Sequence, residues 1–144
     1  MKFTIEYKLP SLNDYIAACR SNRFAGAKMK EEYEQVIGWY IIQALNKNEL
    51  RKVKNPCEVY FIWHEKTIKR DADNVAFAKK FILDALVKSG ILANDTREYV
   101  KGFKDTIIDD LKDFVEVEIQ EVEQENYRAK IKELRKEKRK CLKK

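Results

Sequence analysis

Glu58-Val59-Tyr60-Phe61-Ile62-Trp63-His64 is the stretch on which the fold turns. Val59, Phe61 and Trp63 alternate with Tyr60 and Ile62, so both faces of an extended segment are largely apolar. A strand of that kind belongs in the middle of a sheet. Pro56 opens it and the basic connection Lys66–Arg70 carries the chain away. A helix is then expected from Asp73 or a neighbour to about Ser89. Phe77, Phe81 and Leu83–Leu86 supply its buried side, and Gly90 stops it.

Working outward, Lys2–Tyr7 alternates and reads as a first strand, broken by Leu9-Pro10-Ser11-Leu12-Asn13. Asn13–Lys28 has no clean period and reads as a long loop with at most a short turn of helix. Met29–Leu45 repeats its apolar residues at helical spacing, through Tyr33, Ile37, Tyr40 and Ile41. Asn46–Asn55 is a polar linker. Past Gly90, Ile91–Ala93 is short and extended, and Asn94-Asp95 is a turn signal. Tyr99–Phe103 and Phe114–Ile119 read as two more strands, the second with one wet face. Gln124–Leu142 is a charged helix whose Lys/Arg-rich end suits the helix dipole. The order implies a small α/β (α+β) domain with a mixed sheet over residues 1–120, and a charged helical tail over 121–144.

The chain has 144 residues, ordinary for one domain, and 44% of them are hydrophobic, enough for a real core. No apolar run is long enough to span a bilayer, and the N-terminus lacks the apolar centre of a signal peptide. Cys19, Cys57 and Cys141 are scattered and form no C-x-x-C pair, which suits a reducing cytoplasm. Asn126–Lys144 holds ten Lys/Arg against two Glu, so residues 1–125 carry −2 of the chain's +6. A basic tail of this kind either tracks phosphates or stands as a solvated helix end.

The chemistry concentrates in Lys69-Arg70-Asp71-Ala72-Asp73-Asn74, between the buried strand and its helix. Carboxylates at i and i+2 of an extended stretch point to the same side. Two such groups suit Mg²⁺, which keeps its other positions for water and phosphate. An ion so held polarises a phosphoryl oxygen and lowers the pKa of a water, as phosphodiester hydrolysis needs. The plainer reading has Asp73 capping the helix and Asp71 in solvent. Asp95 is a third candidate, with turn chemistry as its ordinary role. Asp84, about 16 Å along the helix from Asp73, suits an ion pair with Lys80 or Lys88. His64, the only histidine, has no nucleophile or orienting partner that the sequence names. The phosphate-cradling glycine motifs, H-E-x-x-H and the serine nucleophile elbow are all absent, which leaves acid-based metal chemistry or no catalysis.

Arg70-Asp71-Ala72-Asp73-Asn74, then Lys80-Phe81-Ile82-Leu83-Asp84-Ala85-Leu86, Gly90 and Asp95, resembles the RusA family of crossover-junction endodeoxyribonucleases. Leu9-Pro10-Ser11-Leu12-Asn13 is similar to that family's proline–serine–x–asparagine segment, so the likeness covers roughly residues 1–105. The resemblance implies a small mixed α/β fold and a homodimer that nicks four-way junctions symmetrically with a divalent metal, Mg²⁺ or Mn²⁺. It also implies carboxylate ligands at Asp71, Asp73 and Asp95, and a role in recombination or repair, often in phages and prophages. The chain departs from the pattern twice. Phe77 stands four residues after the second aspartate, where the best-known form of the family has a functional lysine. Counting back from Leu83-Asp84-Ala85-Leu86 puts that lysine at Lys80, with Lys79 the nearby substitute. Asn94 replaces an acid often found before the third aspartate.

The expected reaction is phosphodiester hydrolysis at a DNA branch, with Lys80 or Lys79 stabilising charge on the phosphate. Arg70, Arg20, Arg23 and Lys28 are candidate phosphate contacts, recognising backbone and branch shape more than base sequence. A helix from Asp73 to Ser89 would carry the chain about 24 Å from the aspartate pair. The return from Gly90 to Asp95 spans at most about 20 Å, so either the helix bends or a partner subunit supplies Asp95. Two other readings stand beside the nuclease: a non-cleaving DNA-binding or assembly module of the same fold, and a metal-dependent enzyme acting on small nucleotides.

Overall fold

The computed structural model describes residues 1–143. Its strands are β1 (Lys2–Ile5), β2 (Cys57–Glu65), β3 (Val100–Asp109) and β4 (Phe114–Glu121). Its helices are α1 (Leu12–Ser21), α2 (Ala25–Asn46), α3 (Ala72–Ala76), α4 (Lys79–Lys88) and α5 (Gln124–Leu142). The strands form one mixed sheet in the order β1-β4-β2-β3. β4 is antiparallel to both β1 and β2, whereas β3 runs parallel to β2. A parallel pair needs a crossover, and α3 and α4 supply it.

β2 is central, as its double-sided apolar pattern implies, but its two faces differ. Cys57, Val59, Phe61, Trp63 and Glu65 are buried, while the residues between them are half-exposed. The buried face meets Phe3 and Ile5 of β1, Val115, Val117 and Ile119 of β4, and Ile37, Ile41, Phe81, Ile82 and Leu86 of the helices. Truncating a fully buried ring such as Phe61 in such a core costs about 3–5 kcal/mol. Burial also pushes the Cys57 thiol up to about 11, so it is an inert packing group.

The expected long loop at Asn13–Lys28 is two helices joined by a tight corner. Ser11 caps α1: its Oγ accepts from Asp14 N at 3.1 Å, and Asp14 Oδ2 accepts from Ser11 N at 3.0 Å. This capping box satisfies two backbone donors reciprocally. Asn22 Oδ1 then accepts from both Phe24 N and Ala25 N at 2.9 Å, turning the chain into α2. A Cβ at Gly26 would run into Cys19 Sγ, so a larger residue there would have to push that thiol aside. No residue of α1 is buried, which is why its apolar period is hard to see in the sequence.

The single helix expected over Asp73–Ser89 is also corrected. It is divided at Phe77 and Ala78, where the backbone stays right-handed but tightens. Ala78 N donates to Val75 O, Lys80 N to Phe77 O and Phe81 N to Ala78 O, all three-residue bonds. Gly90, at φ 76°, ends α4 in the left-handed conformation. Ile91 N and Leu92 N both donate to Leu86 O, which folds the buried Ile91 and Leu92 back under the helix. β3 is longer than the expected Tyr99–Phe103, running to Asp109 along β2. No helix among the described residues is long and apolar enough to cross a membrane.

Candidate active site

The aspartate segment leaves the C-terminal end of β2, the end of parallel strands where ligands bind in open α/β sheets. Asp71 is extended (φ −67°, ψ 157°) and stands at the N-cap of α3 without using its side chain as a cap. Its carbonyl accepts from Val75 N at 3.1 Å, the first bond of the helical turn. Asp73 lies inside that turn. Alternation along an extended stretch therefore does not govern the pair, since only Asp71 is extended. Both carboxylates are exposed and make no ion pair or side-chain hydrogen bond with another described residue.

Arg70 fixes the approach to this turn. Its Nε donates to Glu65 Oε1 at 2.6 Å and its Nη1 to Leu9 O at 2.9 Å. Glu65 is buried at the end of β2, so the pair clasps the Lys66–Arg70 connection from inside. Leu9 precedes the Pro10-Ser11 cap of α1, and the Tyr15 ring of α1 lies tilted 5.4 Å from that of Phe77. The N-terminal segment and the aspartate segment, 61 residues apart at the hydrogen bond, are thus neighbours. Arg70 is committed to the protein interior rather than presented to a ligand. Sequence reasoning missed Glu65. The signal was an acid at an inward-facing position of the strand with an arginine five residues on.

Asp95 returns to α4 of its own chain. Its Oδ2 lies 3.3 Å from Lys80 Nζ, which also donates to Asp84 Oδ1 at 3.1 Å. Asp84 in turn meets Lys30 of α2 at 3.0 Å. Lys30 approaches the buried Glu34 at 3.8 Å, and Glu34 also binds Lys88. The result is an alternating chain of six charges from Lys88 to Asp95, running along the α2–α4 contact. The Asp84 carboxylate, helped by Asp95, holds the Lys80 ammonium above its ordinary lysine value. Burial pushes the Asp84 carboxyl up, but the Lys30 and Lys80 ammoniums outweigh it and leave it below the usual range.

The two candidate lysines part company here. Lys80 faces Asp95, whereas Lys79 turns to the sheet and binds Asp105 of β3. Asp105 Oδ1 also accepts from Trp63 Nε1 at 2.9 Å. Lys79 therefore latches α4 to the buried face, with Phe103 5.0 Å from its ammonium. Phe77, at the position where the resemblance implies a lysine, packs 5.6 Å from Phe81 as part of an aromatic cluster.

Arg20 ends α1, Arg23 lies over the Phe24 ring in the corner, and Lys28 sits in the first turn of α2 beside Glu32. All three are exposed. Asp71 and Asp73 share one helix start, but Asp95 is held at Lys80. Among the described residues no three His, Cys, Asp or Glu side chains gather closely enough to hold a metal ion together. Of the three expected acids only Asp71 and Asp73 stand at the same helix start, and Asp95 does not join them.

His64 is far from idle, though it is not part of this group. Its Nδ1 lies 2.8 Å from Asp110 Oδ2, its Nε2 lies 2.8 Å from Glu116 Oε2, and the ring stacks on Phe114. Both ring nitrogens therefore face carboxylate oxygens. The acids sit on opposite sides of the ring, so this is a staple between β2 and the β3–β4 hairpin.

The sequence matches no family model and no curated protein.

Proposed function

We propose that this chain is a Mg²⁺-dependent endonuclease that nicks branched DNA, of the RusA kind, acting as a homodimer so that two strands are cut symmetrically. The observation that carries the reading is the pair Asp71 and Asp73. They are exposed and unpaired where the central strand hands over to its crossover helix, beside the Pro10-Ser11 segment that Arg70 ties in. A divalent cation held by the pair would supply Lewis-acid polarisation of the scissile phosphate. The chain's own residues do the rest. The Glu65–Arg70 clasp orients the turn, Asp84 holds Lys80 beside Asp95, and Lys80 offers a positive charge to the phosphate.

The test is nicking of a synthetic four-way junction with Mg²⁺, with EDTA as the control. Asp71→Asn is expected to abolish cutting while leaving junction binding intact. Normal cutting by that variant would overturn the assignment of the site.

A second reading keeps the DNA and drops the reaction. The observation that favours it is the engagement of Asp95 by Lys80, which leaves only two free acids at α3. Junction binding with no cutting under Mg²⁺ or Mn²⁺ is its signature.

A further inference from the structure

α5 is a helix of 19 residues that does not join the core. From residue 128 to residue 143 every side chain except Ile131 is exposed. None of these residues makes an ion pair, side-chain hydrogen bond or ring contact with another described residue. Hydrophobic burial therefore does not account for this segment.

Its charges are sorted. At about 100° per residue, Arg128, Lys132, Arg135, Lys136, Arg139 and Lys140 fall within an arc of roughly 140° and along about 18 Å of axis. Ile131, Leu134 and Cys141 lie on the opposite side. The basic face contains four like-charged i,i+4 pairs, such as Lys132/Lys136 and Arg135/Arg139. Such pairs destabilise an isolated helix. A partner that turns this repulsion into attraction must be a long, regular array of negative charge. Duplex DNA presents about ten phosphates along the same 18 Å of its axis. A membrane surface fits less well. The opposite face is narrow, Lys130 and Lys138 interrupt it, and it has no Trp or Phe to anchor in an interface. A second copy of the helix would bring like charge to like.

We infer that α5 is a nucleic-acid-binding arm whose basic face lies along the phosphate backbone, independent of the aspartate site. It rests on the proposed function only in taking DNA as the ligand. It adds affinity that carries no information about sequence or branch shape, because phosphate contacts position without specifying.

The experiment uses the full chain with EDTA present, so that binding is read without cutting. Fluorescence anisotropy follows a labelled four-way junction and a duplex of equal length across a salt series. The variant combines Lys132→Gln, Arg135→Gln, Lys136→Gln and Arg139→Gln, and circular dichroism checks that the helix remains. A charge-preserving control carries Lys132→Arg and Lys136→Arg. The glutamine variant is expected to bind both DNAs about tenfold or more weakly. Its plot of log affinity against log salt should be shallower by roughly 3–4. The arginine control should bind like the parent chain. Unchanged affinity and slope in the glutamine variant would overturn the inference, as would parent-chain binding to phosphatidylserine vesicles in preference to DNA. If the parent binds no DNA, the proposed function falls with it. If parent and variant bind alike, only the arm is disproved.

Discussion

Lys80 Nζ and Asp95 Oδ2 stand 3.3 Å apart although 15 residues separate them in the chain. The contact closes the segment between α4 and β3, and it depends on Asp84, which holds the same ammonium one helical turn away at 3.1 Å. Asp84 is the more enclosed of the two acids, 16% exposed against 27% for Asp95. It should therefore carry more of the stability. Asp84→Asn is expected to cost about 1 kcal/mol, limited by the solvent around its lysine partners. The sign with pH follows from the lowered Asp84 pKa. Its contribution is complete above the ordinary aspartate value of 3.8 and is lost as pH falls through the lower folded value. Urea midpoints of parent and variant should differ steadily at neutral pH and converge in acid below that value. A gap that widens in acid would contradict the pairing.

The division of labour between neighbouring lysines gives a second test. Lys80→Met should lower junction cutting by about 10²-fold, the scale on which one electrostatic stabiliser acts. Lys79→Met should leave cutting within a few-fold, because Lys79 serves the α4–sheet latch. Asp105→Ala, which leaves the Trp63 indole N–H without its acceptor, should cost about 1–3 kcal/mol. Trp63 is 3% exposed, so its fluorescence should shift to the red as that burial loosens. The reverse ranking of the two lysine variants would assign the catalytic role to Lys79.

His64 holds Glu116 below its usual range through a hydrogen bond, which outweighs the upward push of burial, and Lys2 adds a further lowering contribution. Replacing the ring by another that keeps the Phe114 stack isolates the polar part. In His64→Phe the Glu116 carboxyl should titrate closer to the ordinary 4.5, followed by carbon NMR, with Lys2 keeping part of the lowering. Stability should fall by about 1 kcal/mol at neutral pH, where the lost hydrogen bonds are made to charged groups. Glu116's contribution fades as acid carries the pH through its folded value, so the deficit should shrink there. An unmoved Glu116 titration would mean that the staple does not form in solution.

The capping box at α1 makes the fourth prediction. Ser11→Ala removes the acceptor for Asp14 N and should cost about 1 kcal/mol in urea unfolding. Ser11→Thr keeps a hydroxyl at the same point and should recover most of it. Loss of the same size in both would point to the packing of the buried Ser11 rather than to the cap.

Much of this was legible in the linear chain, for local reasons. The apolar alternation of Glu58–His64 requires a central strand, the helical spacing of Met29–Leu45 requires a packed helix, and Gly90 requires a stop, each within a few neighbouring residues. The acids at 71 and 73 are neighbours in the linear chain too, but only Asp71 is extended, so the alternation expected to align them does not apply. The capping box was written there too, as Ser11-x-x-Asp14, but α1 buries no side chain and so lacks the period that would draw attention to it. β3 beyond Phe103 was hidden for a related reason. As an edge strand its polar residues face water, and only its ladder to β2 makes it a strand.

Distance in sequence is what the linear chain does not resolve, and folding decided those matters. Which lysine meets Asp95 depends on the tightening at Phe77 and Ala78, which turns Lys80 outward and Lys79 toward Asp105. The buried Glu65 exists as a clasp only because Arg70 folds back on it and reaches Leu9 from there. His64 finds its two acids because the β3–β4 hairpin closes over it. Hydrophobic period and turn chemistry are short-range and can be read directly. Charges commit to partners only after the core has set the distances between them.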